Sequence, residues 1–237
     1  ARSDKYASIY EAYKKAWQDT FMNEDGSVGN WMQSEYVLPL AFRLYPEEME
    51  AAGAGFLNIS VQSSDYHAQT GYVSTPWILP VLCEYGYTDS AYQMILQDTF
   101  PSWNYMLSHN STTMTEAFHA FSENEDGTYA ILNSLNHYAL GSVGQWLYSD
   151  VVGIKRDDAS PGYKHFLLQP RIHNCLSFAE GSYDSIYGTI YSRWELTKEG
   201  KVTYTCTVPA NTSATLLLPI EGFETQALEA GSYSFEG

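Results

Sequence analysis

The hydrophobic period of this chain changes once, and that change limits the fold more than any other feature. Up to about residue 154 the apolar residues recur at helical spacing, and beyond about residue 160 they alternate. Such a chain must pack helices against helices first, then build sheet structure with one wet face. The spacing predicts six helices. Tyr6, Ile9, Tyr10, Tyr13, Trp17 and Phe21 form the first stripe, with Ser3 as its cap and Glu24-Asp25-Gly26 as its stop. Gln33, Tyr36, Val37, Leu40, Ala41 and Leu44 form the second, with Pro39 expected to kink it. Pro46-Glu47-Glu48 opens a third, whose apolar face is Met49, Ala52, Phe56 and Ile59. Thr75-Pro76 caps a fourth that ends near Gly86, and Thr88 caps a fifth containing Tyr92, Ile95 and Leu96. Residues 99–133 read as one long connection, of the kind that is usually functional in a compact domain. A sixth helix is expected from Ser134 to Val152, with Gly153 as its stop and Gly141 and Gly144 permitting close packing.

Residues 154–163, with Asp157-Asp158 and Pro161-Gly162, read as a linker. After it, Val202, Tyr204, Cys206 and Val208 alternate with Lys201, Thr203, Thr205 and Thr207. Ile190, Ser192, Trp194 and Leu196 make a second alternating set, joined to the first through a turn at Glu199-Gly200. His165–Gln169, Leu176–Tyr183, Ala214–Leu218 and Ser232–Phe235 are further strand candidates, and short strands at this spacing predict an antiparallel sandwich. The expected division is a helical domain over 1–154 and a sandwich over 160–237.

Composition removes several classes of function. The chain has 237 residues, 44% of them hydrophobic, enough for a sizeable core and two domains and too many for disorder. A formal net charge of −16 argues against nucleic acid and anionic membranes as partners; a solvated acidic surface accounts for it. No apolar run reaches the ~18 residues that suggest a membrane span. Cys83, Cys175 and Cys206 are an odd number without metal-type spacing, so free thiols are expected and no metal or cofactor. Asn58, Asn110 and Asn211 head glycosylation-type triplets, and the compartment stays open. The first residue is Ala, so an N-terminal portion is expected to be missing. The 20 tyrosines suit a wet, half-apolar cleft, although most are expected to pack at core edges.

Residues 66–148 carry a run of short signatures: His67-Ala68-Gln69-Thr70-Gly71-Tyr72, Ser74-Thr75-Pro76-Trp77, Pro101-Ser102-Trp103, Ser111-Thr112-Thr113-Met114-Thr115-Glu116 and Ser134-Leu135-Asn136-His137-Tyr138-Ala139-Leu140-Gly141. They set a carboxylate, a histidine, an asparagine and several aromatics at the ends of expected helices. Those are the groups that grip and hydrolyse a sugar.

Taken in order with Pro161-Gly162-Tyr163-Lys164-His165-Phe166 and Gly181-Ser182-Tyr183-Asp184-Ser185-Ile186-Tyr187-Gly188, these signatures resemble the C-terminal part of glycoside hydrolase family 78, the bacterial and fungal α-L-rhamnosidases. The resemblance covers nearly the whole chain. It implies an (α/α)6 catalytic barrel followed by a β-sandwich, with about six of the barrel's twelve helices present here. It also implies an inverting hydrolase of terminal α-L-rhamnosides whose general acid lies in an upstream acidic stretch with a Gly-Trp pair, which has no counterpart in this chain. The family shows Thr-Thr-(apolar)-Trp-Glu-Arg-Trp around its second carboxylate. This chain keeps the Glu as Glu116, with Thr115, Ala117 and Phe118 in place of Trp, Arg and Trp.

Glu116 is therefore expected as the catalytic base, and His137, Asn136 and Trp103 as substrate-binding residues. Trp103 either stacks on a pyranose or plugs the barrel end. Trp31 and Trp77 are expected to pack, and Glu123, Glu125 and Asp126 read as a solvated charge run. Glu84 and Asp89 are local carboxylates explained by their helix ends. The expected partners are a rhamnose-containing glycan or glycoside, and either the missing N-terminal half or a second copy. The rival readings are a non-catalytic carbohydrate-binding or scaffolding module, and an (α/α)6 hydrolase of different sugar specificity.

Overall fold

The computed structural model describes residues 2–124 and 126–237 and divides into two units, Ala1–Ser142 and Val143–Gly237. In the first unit the helical spacing produces α1 (Arg2–Phe21), α2 (Gln33–Ala41), α3 (Glu47–Ser63), α4 (Thr75–Glu84) and α5 (Thr88–Leu96). Tyr36, Val37 and Leu40 of α2, Leu57 and Val61 of α3, Ile78 and Leu82 of α4 and Tyr92 of α5 are almost completely buried and form its core.

Two stripes behave differently from their spacing. No residue of α1 is buried; Tyr6, Tyr13 and Phe21 stand exposed, and Trp17 packs edge-on to Tyr45 at 5.0 Å. In α3 the buried positions are Gly53, Ala54, Leu57, Ser60 and Val61, while Ile59 is exposed. The helix turned its small residues inward because the Tyr45 ring lies over Gly53, where a Cβ would come within 2.5 Å of it. Reading the largest side chains as the core face missed this close approach.

The long connection expected over 99–133 is partly ordered. It holds α6 (Trp103–Ser108), capped by the Ser102 hydroxyl, which accepts the Tyr105 N–H at 3.0 Å. It also holds a hairpin of β1 (Phe121–Glu123) and β2 (Tyr129–Ile131). Asp126 is more than a solvated charge. It accepts from the Thr128 N–H at 3.0 Å and the Thr128 hydroxyl at 2.6 Å, closing the hairpin turn. Asp25 makes the same pair of bonds to Ser27, at 2.9 and 2.7 Å, in the turn after α1. Glu125 lies outside the described residues, and of Glu123 only the backbone is described.

The expected sixth helix is replaced by three short pieces: α7 (Tyr138–Gly141), α8 (Val143–Trp146) and a π-helical turn, Leu147–Val151. Ser134 does not cap it. His137 is the N-cap, its Nδ1 accepting the Ala139 N–H at 3.2 Å. Gly144 meets nothing that a Cβ would touch, so it does not serve close packing, whereas a Cβ at Gly141 would lie 3.5 Å from the Met114 side chain; both glycines lower helix propensity.

The second unit is a pair of four-stranded sheets. One runs β10–β7–β6–β5, from β5 (Phe178–Ser185), β6 (Gly188–Leu196), β7 (Val202–Val208) and β10 (Gly231–Glu236), all antiparallel. The other runs β3–β4–β8–β9, from β3 (Ile154–Arg156), β4 (His165–Leu168), β8 (Ser213–Leu216) and β9 (Gln226–Leu228). This second sheet is mixed, because β4 and β8 pair in parallel, so the expectation of a wholly antiparallel sandwich is corrected. The alternating residues of β6 and β7 do face one core, where Ile190, Trp194, Tyr204 and Cys206 meet Phe166 and Leu216. The expected linker already contributes β3. Gly153 precedes that strand at φ +85°, and a Cβ there would sit 2.3 Å from the Pro170 nitrogen, so only glycine fits.

Candidate active site

The first unit carries a cleft of about 800 Å³. One wall is the loop from Ala68 to Tyr72, and the other runs from Glu116 to His119 and from Asn133 through His137 to Leu140. Phe100 and Pro101, joined by a cis peptide bond, also line it.

The first wall is held by a residue that had been read only as part of a helix stripe. Gln33 of α2 is fully buried. Its amide donates to the His67 carbonyl at 2.9 Å and accepts from the Gln69 N–H at 2.9 Å, so both ends of the side chain brace the loop. Next to it, the Thr70 and Thr75 hydroxyls lie 2.9 Å apart at the start of α4. This accounts for the Thr70-Gly71-Tyr72 and Thr75-Pro76 signatures: they fold one loop against one helix start.

The second wall extends the β1–β2 hairpin beyond its regular strands. The Leu132 N–H donates to the Ala120 carbonyl at 2.9 Å, the Glu116 N–H to Ser134 at 2.9 Å and the His137 N–H to Met114 at 2.8 Å. The Thr113 hydroxyl donates to the Leu135 carbonyl. Two signatures separated in sequence are thus one paired structure. Glu116 Oε2 accepts the Ser134 N–H at 3.3 Å, and Oε1 has no protein partner among the described residues. Glu116 is also the single carboxylate among the residues that line the cleft.

His137 has one nitrogen committed. Because Nδ1 accepts a backbone N–H, it carries no proton, and Nε2 is the nitrogen left to donate. The ring stacks on Tyr138 with centroids 5.1 Å apart. Glu116 and His137 therefore meet on one wall.

The other two expected binding residues do not join them. Trp103 is 5% exposed and absent from the cleft lining. Its indole N–H donates to the Leu140 carbonyl at 3.0 Å, and its ring meets Phe118 edge-on at 5.2 Å. It supports the wall from behind. Asn136 is exposed and outside the cleft lining; its backbone N–H donates to the Ser134 hydroxyl oxygen at 3.2 Å. Thr115, at the first aromatic position of the family pattern, is fully buried, donating to the Ala117 carbonyl at 2.8 Å with the Met106 sulfur 2.7 Å away.

The remaining named residues are accounted for elsewhere. Glu84 pairs with Arg43, whose guanidinium is held above its ordinary value chiefly by that bond. Asp89 stands in the first turn of α5. Trp31 packs edge-on to Phe56 at 5.0 Å, and Trp77 lies 5.4 Å from Phe42.

Sequence reasoning missed Gln69, Tyr72, Asn133, Tyr138 and His119 as cleft residues. Three of them lie inside the quoted signatures, where each could have been weighed. His119 and Asn133 fall outside, and no motif marks them.

Two family models match the chain in succession. Residues 1–151 match the family model of the bacterial alpha-L-rhamnosidase 6 hairpin glycosidase domain, and residues 153–231 that of the bacterial alpha-L-rhamnosidase C-terminal domain. An alpha-L-rhamnosidase of Streptomyces avermitilis is 36% identical over 216 residues, covering 91% of this chain and 21% of the relative. One from an Alteromonas species is 35% identical over 218 residues, covering 91% and 23%. Among solved structures, the Streptomyces avermitilis alpha-L-rhamnosidase complexed with L-rhamnose aligns with a TM-score of 0.89 at 32% identity, over 99% of this chain and 24% of that one. The native enzyme from Aspergillus terreus aligns with a TM-score of 0.90 at 29% identity, over 98% and 27%. The chain thus spans between a fifth and a quarter of the length of these two curated relatives, 21% and 23%.

Proposed function

The chain belongs to the bacterial α-L-rhamnosidase family, and from that premise we propose that it supplies the base-bearing wall of an inverting hydrolase of terminal α-L-rhamnosides. The observation that carries this reading is the mounting of Glu116. One carboxylate oxygen is anchored to the Ser134 N–H, the other is free, and the neutral imidazole of His137 stands on the same wall. In the proposed reaction Glu116 accepts a proton from a water molecule as the water oxygen attacks the anomeric carbon. The bond to the leaving oxygen breaks, and a second carboxyl protonates that oxygen from the opposite face. Glu116 is the one carboxylate in the cleft lining, and in this reading the acid is supplied by another segment of the enzyme. His137 Nε2–H donates to a sugar hydroxyl, and Trp103 acts only through the wall it braces.

In the same reading residues 1–154 are the second half of an (α/α)6 barrel and residues 160–237 its sandwich domain. The uncovered apolar side of α1 supports a partner there: the N-terminal half of the enzyme, or a second copy in its absence.

The test is Glu116→Gln in the protein extended to its full reading frame. The expected kcat on an aryl α-L-rhamnoside falls ~10²–10⁴-fold, the usual worth of a positioned base, while KM changes less. A kcat within about threefold of the unsubstituted enzyme removes Glu116 from the mechanism.

A further inference from the structure

The chain has six histidines, and five of them spend ring nitrogens on the protein. His67 bonds the Ser64 carbonyl and Thr99 hydroxyl, His109 the Tyr105 carbonyl, His137 the Ala139 N–H, His165 two hydroxyls of β8 and His173 the Cys175 N–H. His119 is the exception. Among the described residues its ring has no hydrogen-bond partner, and it stands exposed on the cleft wall that holds Glu116.

Its direction is imposed by its neighbours. Phe118 is 7% exposed against Trp103, and Ala120 is fully buried with its carbonyl taken by the Leu132 N–H. The Ala120 N–H donates to the Ala117 carbonyl at 3.1 Å, fixing a turn around the position. With both flanking residues anchored inward, residue 119 has to project outward into the cleft. A side chain with both nitrogens unspent, on a backbone fixed on each side, is a mounted but unused hydrogen-bonding group.

We propose that His119 is a substrate-binding residue of this same cleft, taking a hydroxyl of a neutral sugar on the Glu116 side. The inference rests on the reading of Glu116 given above. A neutral imidazole offers one donor and one acceptor, which is the complement of an alcohol. The cleft lining has no Lys or Arg, so it offers no charge partner for an anionic sugar; it suits a neutral polyol. His137 and His119 would then contact the sugar from the two strands of the wall, with the base between them in the paired structure.

Two measurements decide it. In the full-length enzyme, His119→Ala should lower kcat/KM for an aryl α-L-rhamnoside about 3–10-fold, mostly through KM, as loss of one neutral hydrogen bond predicts. His119→Gln, which keeps a donor and an acceptor, should recover part of the loss. If His119→Ala leaves KM unchanged while Glu116→Gln lowers kcat by ~10²-fold or more, this inference is overturned and the base assignment stands. The second measurement does not need turnover. The ring resonances of His119, labelled selectively in the full-length enzyme, are followed by NMR as L-rhamnose is added. Saturable movement that Glu116→Gln does not abolish supports the contact even if the base assignment fails, and a static resonance at saturation, with those of His137 moving, refutes it.

Discussion

Trp103→Phe separates the two roles that the Pro-Ser-Trp signature allows. If the indole stacks on a sugar, phenylalanine keeps an aromatic face and the fold is untouched. If the indole braces the wall, the substitution strands the Leu140 carbonyl that now receives the Nε1–H at 3.0 Å. Leaving a buried carbonyl unpaired costs about 1–3 kcal/mol. The smaller ring also leaves a gap beside Phe118, worth under about 1 kcal/mol at roughly 24 cal/mol per Å³. The sum is about 1–4 kcal/mol, a fall of roughly 3–15 °C in Tm for a unit of this size. Thermal unfolding of the 237-residue chain, read by near-ultraviolet circular dichroism, measures it directly. The bracing role also predicts that KM of the full-length enzyme changes little below the transition. An unchanged Tm together with a KM raised about tenfold would show that the indole meets the substrate, and the position assigned to Trp103 would be wrong.

Other perturbations test other parts of the molecule. Gly153→Ala combines a left-handed backbone with a Cβ 2.3 Å from the Pro170 nitrogen, and should cost roughly 2–5 kcal/mol in urea unfolding. Gly162→Ala, also at positive φ but with nothing near its Cβ, should cost only about 1–2 kcal/mol; equal losses would refute the steric argument. The Asp25 and Asp126 carboxyls are held below the ordinary 3.8, first by the hydroxyls of Ser27 and Thr128. A depressed folded pKa makes the turn's contribution complete above that value and lost as pH falls through the folded pKa, so side-chain titration by NMR should give midpoints under 3.8 for both. The exposed apolar side chains of α1 should make the isolated chain self-associate and bind a hydrophobic dye, and sedimentation as a clean monomer without dye binding would count against an uncovered flank.

The period change made two kinds of structure legible before any coordinates, and α2, α4, α5, β4, β6, β7, β8 and β10 lie where their spacing predicts. What the spacing could not supply were features set by contact rather than by period. The inward turn of Gly53 depends on a tyrosine eight residues earlier, and the parallel pairing of β4 with β8 on partners far apart in sequence. The expected sixth helix starts later, at Tyr138, and is interrupted at Ser142 and again where it widens to a π turn at Leu147, while Gly141 and Gly144 lie within its helical pieces. Glu116 and His137 were legible because each lies in a dense signature. His119 was not, because nothing in the sequence distinguishes a histidine that bonds to the protein from one that does not. That distinction belongs to the fold.

The wall that carries Glu116 is nevertheless a local construction. Its pairing runs between residues 113–120 and 132–137, and its backing, Trp103 and Phe118, comes from the same stretch of chain. Nothing beyond the first unit is needed to orient the carboxylate oxygen or to fix the tautomer of His137. Inverting hydrolysis needs more than orientation, because the base and the acid stand ~6.5–9.5 Å apart on opposite faces of the sugar. A wall with one carboxylate can position water yet cannot protonate a leaving oxygen. On the function proposed above, the two halves of the reaction would divide along the chain: nucleophile activation would be built into the hairpin wall, and departure of the aglycone would depend on residues that face it from elsewhere.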